Sequence, residues 1–301
     1  MKKRVFAVLT VLLMLFAQAA QAAEGALCRI AHKQNELWLF GSIHIGSESM
    51  YPFSEQVMAA AQGADVWIFE ADETQIDQQA LLARMRYEAG DSLSAHISAD
   101  TLAMLQAAAK KCGYRWQALL QLKPWALVLM FGAHNLAYSL GVSDVETAVS
   151  LGVEAQLKPL INGKPIAYLE TADEQFAMLE SFSAPLQEWL LYDALSGIVN
   201  ETGNEKSLAH WPLWWKQGDA AAFDAAYAEE EKAMPAALAR EYTQKVLHSR
   251  NRAMAEKLIN LLEAQGEKSC FVTVGILHLA ATEQSLPSLL AQAGYTVEWM
   301  E

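Results

Sequence analysis

The sequence is short of cysteine, of recognisable catalytic signatures and of positive charge, and each shortage closes off a class of protein. Its three cysteines in 301 residues, Cys28, Cys112 and Cys270, form no CxxC pair. Neither a zinc knuckle nor a thioredoxin-type dithiol can be built from them. HExxH, GxSxG, Walker A and GxGxxG are all missing, so zincin, α/β-hydrolase, P-loop and Rossmann chemistry lack their signatures. Basic residues number 22 against 35 acidic ones, a net charge of −13. No basic stripe interrupts that balance, which argues against nucleic acid as a partner. There is no Pro- or Ser-rich stretch to act as a linker, so the folded part reads as one domain.

What is present is apolar residue in quantity. Hydrophobic side chains make up 53% of the chain and charged ones 19%, enough to bury a large core and incompatible with disorder. The first residues stand apart. Lys2, Lys3 and Arg4 precede the apolar run Val5–Ala17, and Ala20-Gln21-Ala22 follows as an A-x-A site. This is the layout of a signal peptide, residues 1–22, with cleavage near Ala22–Ala23 and a single domain over 23–301; an uncleaved anchor is the other reading. The apolar run is short for a bilayer span, and no later stretch reaches that length without charges, so the mature chain is expected to have no stable membrane span. Export would place it in the periplasm or outside the cell. In that oxidising setting one disulfide is possible, with Cys28–Cys270 the preferred pair and three buried thiols the alternative.

Short apolar runs bounded by Gly, Asp, Lys or Pro read as strands. Ala26–Ala31 and Glu36–Ser42 form an expected hairpin around Lys33-Gln34-Asn35. Val66–Glu70, Pro165–Glu170, Cys270–Gly275 and Thr296–Trp299 follow. Between them lie helical patterns: Ser54–Gln62, Ala99–Lys111, Pro124–Leu140, Pro185–Glu201, Ala220–Glu231 and Pro235–Gln265. The alternation predicts an α/β fold, or failing that α+β, with a central mixed sheet and large helical insertions. Trp211, Trp214 and Trp215 share one helical face, which suits core packing, with a substrate wall as the alternative.

Two echoes run through the chain. Leu37-Trp-Leu-Phe-Gly41-Ser-Ile-His44 resembles Cys270-Phe-Val-Thr-Val-Gly275-Ile-Leu-His278, an apolar strand followed by Gly-x-x-His. Val66-Trp-Ile-Phe-Glu70 resembles Ile166-Ala-Tyr-Leu-Glu170 in the same way. They suggest a sheet built from two related half-units. Ligands of open α/β sheets bind beyond the carboxyl ends of the strands, and all four polar residues fall there. Gly41 and Gly275 would let the backbone turn sharply or approach closely before each imidazole. Two imidazoles and two carboxylates converging at one edge suit a divalent ion such as Mn, Fe, Co or Zn. The competing reading makes each histidine a hydrogen-bonded structural residue and each glutamate a cap or an arginine partner. The other five histidines, His32, His96, His134, His210 and His248, are read as structural or surface residues.

Gly41-Ser-Ile-His44-Ile-Gly46, Phe69-Glu70-Ala-Asp72, Gly163-Lys-Pro165 with Leu169-Glu170-Thr171, Arg250-Asn251 and Gly275-Ile-Leu-His278 occur in this order. With that plan the chain resembles the TraB/GumN family, and its motifs are similar to those of the Tiki metalloproteases, from about Ala26 to Trp299. Gly152-Val153-Glu154 departs from it, with Glu where the family often has Asp. The resemblance implies a metal-dependent hydrolase with His44, Glu70 and His278 at the metal and Arg250 and Asn251 beside them. Glu170 is added from the residue reading, as a further ligand or general base. Arg250 would stabilise an oxyanion, or simply pair with a glutamate. The expected substrate is a peptide or small molecule, cleaved as an amide. The alternatives are a binding protein that sequesters a small peptide or a haem-like ligand in the same cleft, and a scaffold with a vestigial site.

Overall fold

The computed structural model describes residues 22–200, 208–280 and 283–300. Except for Ala22, the expected signal peptide lies outside the described residues.

The strands run close to their expected places: β1 Leu27–His32, β2 Asn35–Ser42, β3 Val66–Asp72, β4 Ile166–Thr171, β5 Ser269–Gly275 and β6 Val297–Trp299. They form one sheet in the order β4-β3-β5-β2-β1-β6. β4, β3, β5 and β2 are mutually parallel, while β1 joins β2 and β6 joins β1 antiparallel. The fold is therefore α/β with a mixed sheet, as the sequence predicts. β1 and β2 are the expected hairpin, closed at Lys33 in a left-handed conformation (φ 55°). β5 is buried from Cys270 through Val274, the continuous apolar run of a parallel strand covered on both faces. Phe40, Phe271 and Trp67 make an aromatic row across β2, β5 and β3, with centroids 5.6 and 5.1 Å apart.

The topology interleaves the echoing segments. The two Gly-x-x-His strands, β2 and β5, are neighbours, and so are the two Glu-ended strands, β3 and β4. All four carboxyl ends therefore open on one edge.

The helices used below are α1 Glu55–Gly63, α2 Ala99–Cys112, α3 Pro124–Ser139, α4 Val145–Ser150, α5 Val153–Leu157, α6 Ala172–Glu180, α7 Ala184–Asn200, α8 Trp211–Lys216, α9 Ala220–Ala233, α10 Ala236–Thr243, α11 Ser249–Glu263 and α12 Ile276–Leu279. The first core lies around the sheet. A second, with Leu105, Phe131, Leu191 and Leu195 at its centre, joins α2, α3 and α7. The long helix expected over Pro235–Gln265 is α10 and α11 joined by a π-helical turn, Gln244–His248. Such turns insert an extra residue and rotate the next stretch of helix; here that stretch carries Arg250 and Asn251. Among the tryptophans, Trp215 is core, its indole N–H donating to the Gly41 carbonyl at 2.8 Å.

The Cys28–Cys270 pairing is overturned: all three cysteines are free thiols. Cys28 lies opposite Leu39 and Cys270 beside Leu37, with β2 between them. Two strand spacings of roughly 4.8 Å exceed the reach of a disulfide. Among the described residues no helix is long and apolar enough to cross a membrane.

Candidate functional site

Along the edge the order is Glu170 on β4, Glu70 on β3, the Gly275–His278 turn after β5, and Ser42–His44 after β2. The four expected side chains thus come from adjacent parallel strands.

Glu70 is at the centre and 8% exposed. Its Oε2 accepts the Gly275 backbone N–H at 2.7 Å. Its Oε1 accepts Arg250 Nη2 at 2.6 Å and Gln175 Nε2 at 2.9 Å. A Cβ on Gly275 would stand 3.4 Å from Glu70 Oε2, an ordinary contact, so this approach does not by itself require glycine. Gly41 serves packing instead: a Cβ would lie 2.5 Å from Ile276 Cδ1, so its absence lets α12 lie against β2. Neither glycine needs a left-handed backbone, so the sharp-turn reading fails at both, and the close-approach reading holds at Gly41 alone.

Arg250 ties the two carboxylates together. Its Nε lies 3.0 Å from both Glu170 oxygens, and its Nη2 is 2.7 Å from Glu170 Oε2 as well as bonded to Glu70. Gln175, one turn into α6, bridges the same two carboxylates. The Thr171–Glu174 capping box fixes where α6 starts, and thereby where Gln175 points. Two carboxylates on one guanidinium leave one formal negative charge in excess, which a further cation at the edge would neutralise.

His278 stands beside this pair. It is buried on α12, and its Nδ1 lies 2.5 Å from Asn251 Oδ1. Asn251 is fully buried and gives its Nδ2 to the Gln284 carbonyl at 2.8 Å, so its oxygen faces the ring and His278 Nδ1 is the donor. That directs Nε2 toward Glu70 Oε1, 3.7 Å away. With the ring neutral, a lone pair would face a carboxylate oxygen, an arrangement that calls for a proton or a cation between them.

His44 is organised in the same way by a different residue. Its Nδ1 is 3.0 Å from Glu154 Oε1, and Ser42 Oγ donates to that same oxygen at 2.5 Å. Ser42 is thus bonded to the carboxylate and not arranged as a nucleophile on His44. Glu154 reaches the edge because the turn between α4 and α5 is stitched to the His44 loop. Val153 N–H donates to the Ile43 carbonyl at 3.0 Å and Gly46 N–H to the Ala148 carbonyl at 2.9 Å. A Cβ on Gly152 would fall 2.1 Å from the His44 carbonyl oxygen. The His44 side chain is 63% exposed against 5% for His278.

Burial alone would raise the Glu70 carboxyl, but His278, Arg250 and His44 together hold it well below the usual range. Burial likewise works against Glu154, and His44 and Ser42 bring it below its ordinary value. Arg250 loses to burial and gains more from Glu170 and Glu70, ending above its usual value.

The donor set fits a divalent ion by type. Each histidine is held at Nδ1 by a side-chain acceptor, which is how outer partners orient metal-binding imidazoles. Glu70 retains lone pairs beside its hydrogen bonds. Among the described residues no three His, Cys, Asp or Glu side chains are already closed into a metal-holding group.

All the expected residues, His44, Glu70, Glu170, Arg250, Asn251 and His278, are therefore at one edge. Two were missed. Glu154 was visible as the motif Gly152-Val153-Glu154 but had no assigned partner. Gln175 gave no sequence signal beyond its place one turn after a capped strand end. The aspartates just past these strand runs, Asp72 and Asp173, are turned to other uses: Asp72 accepts from Thr74, and Asp173 pairs with Arg84.

Residues 26–299 match the TraB/PrgY/gumN family. The chain belongs to that family. It is 28% identical over 255 residues to the uncharacterized protein YbaP of Escherichia coli strain K12, covering 84% of this chain and 86% of YbaP, and matches YbaP of Shigella flexneri to the same extent. No solved structure matches it.

Proposed function

We propose that the protein is an exported metal-dependent hydrolase of peptide-like amides, working at the carboxyl edge of the parallel strands. The observation that carries this reading is the convergence there of His44, Glu70 and His278, with both imidazoles anchored through Nδ1. His44 Nε2, His278 Nε2 and Glu70 would hold a divalent ion, Mn, Fe, Co or Zn, which when bound polarises a carbonyl and acidifies water. Glu70 is kept ionised by its neighbours, as a ligand or proton acceptor must be. Glu170 has both oxygens on Arg250, which supports a bracing role for it over that of general base. Arg250 is committed to the two carboxylates in turn, and its part is to fix their positions.

Export rests on the basic, apolar and A-x-A segments of residues 1–22. Ala23, the first residue after them, is fully buried and pairs with Phe53, so the fold makes use of the chain from there on. The test is turnover of a mixed peptide pool by the mature protein with each ion added in turn. Ion-dependent cleavage that Glu70→Gln abolishes, with the fold intact by circular dichroism, is the expected result. Absence of cleavage with every ion, together with tight peptide or haem binding that survives chelation, would favour the sequestering protein.

A further inference from the structure

Away from the sheet edge, the helical layer holds a half-open cavity of about 270 Å3 between α3, α7, α8, α9 and α10. None of His44, Glu70, Glu154, Glu170, Arg250 or His278 lines it. Its walls are aromatic, with Trp189, Trp211, Tyr227 and Tyr242 contributing faces or edges, and the charged side chains on it, Asp193, Glu230 and Glu231, are all acidic. Glu230 on α9 faces Asp193 on α7 across it. No Lys, Arg or His is among the described residues that line the cavity.

A second, independent feature points to an occupant. Asn135 on α3 is 6% exposed and lines the cavity, yet its Oδ1 has no hydrogen-bond partner. Buried amide oxygens are rarely left so, because the desolvation of the oxygen is then not offset by any hydrogen bond. Repacking does not relieve it easily, since the amide is seated against Gly197 of α7, where a Cβ would stand 2.3 Å from Asn135 Nδ2. The indole N–H of Trp211 is also buried and unpartnered.

We propose that this cavity is a second ligand site, for a small organic cation carried on an apolar or aromatic body. An ammonium group would take Glu230 and the Asn135 oxygen as acceptors, and the aromatic walls would cover the body and face the charge. An acceptor on the far end of the ligand would satisfy Trp211. Burial and the nearby Asp193 push the Glu230 carboxyl up to about 7. The proposal stands independently of the hydrolase reading.

The experiment is calorimetric titration of the full mature chain at about pH 8, with tyramine as the cationic probe and 4-ethylphenol as its neutral counterpart. Tyramine is expected to bind one to one, at least about tenfold tighter than 4-ethylphenol. Glu230→Gln should remove that preference and leave 4-ethylphenol unchanged, and Asn135→Ala should weaken tyramine in a protein of unaltered circular dichroism. No tyramine binding at about 1 mM, equal binding of the two probes, or a preference that survives Glu230→Gln would overturn the proposal. Should a variant not fold, the ratio of the two probes on the wild-type chain decides alone.

Discussion

Among the described residues, carboxylates are withdrawn from water in two places, and their surroundings are opposite. At the sheet edge Glu70 meets Arg250 and His278, and Glu154 meets His44, so both are held below the ordinary carboxylate range despite burial. In the helical layer Glu230 meets Asp193 and aromatic walls, and its carboxyl rises to about 7. The same rod of helix touches both places. α10 gives Tyr242 to the cavity, and after the π-helical turn α11 gives Arg250 to the edge. The comparison teaches that delivery of a cation, more than burial, decides whether an acid here is a permanent anion or a group that titrates near neutrality.

The largest effect should come from removing the cation that makes the difference. Arg250→Met leaves Glu70 and Glu170 facing each other without compensation and should cost about 3–5 kcal/mol in urea denaturation. A loss under about 1 kcal/mol would mean that Arg250 does not hold the edge.

The next contrast is one of sign. Glu70 and Glu154 are depressed, so the stability they contribute is complete above the ordinary carboxylate value of 4.5 and is lost as pH falls toward their folded values. Glu230 is raised, so the native state binds more protons than the unfolded chain between 4.5 and about 7, and its cost grows as pH rises through that window. Glu230→Gln should therefore stabilise the protein by about 1–2 kcal/mol above pH 7, after allowance for partial exposure, and have little effect near pH 4.5. Glu70→Gln should do the reverse, destabilising most at neutral pH. Urea midpoints at the two pH values check both, and equal signs would erase the distinction.

Smaller effects sharpen the difference between the two histidine arms of the edge. Asn251→Ala strands the His278 Nδ1–H and the Gln284 carbonyl in a buried place and should cost about 1–3 kcal/mol. Glu154→Gln keeps an acceptor beside the exposed His44, so stability should fall by less than about 1 kcal/mol while ion affinity falls about tenfold or more. Thermal denaturation and ion titration of both variants separate the arms. Equal stability losses would show that the exposure of His44 is not a sign of a looser arm.

The edge was legible in the sequence because His44, Glu70, Glu170 and His278 each close an apolar run, and parallel strands bring such ends together whatever their order. The strand order was not legible, and the Cys28–Cys270 expectation failed on it: both residues read as strand, but nothing in their local pattern says that β2 lies between them. The π-helical turn was hidden because Pro235–Gln265 carries one unbroken helical composition. Glu154 was seen as a motif without a partner, since its contact with His44 depends on a loop and a helix pair that meet only in three dimensions. The helical-layer cavity left no trace at all. Asn135, Asp193 and Glu230 lie on three separate helices, and each alone is an ordinary polar residue in an amphipathic pattern.

The central claim is that the sheet edge holds a metal, and elemental analysis tests it most directly. The mature protein purified without chelator would be measured beside the His44→Ala/His278→Ala double variant, both checked for native circular dichroism. The account predicts near-stoichiometric Mn, Fe, Co or Zn in the wild type and its loss in the double variant. No bound metal in the wild type after each ion is added back, or equal metal in both proteins, would contradict it.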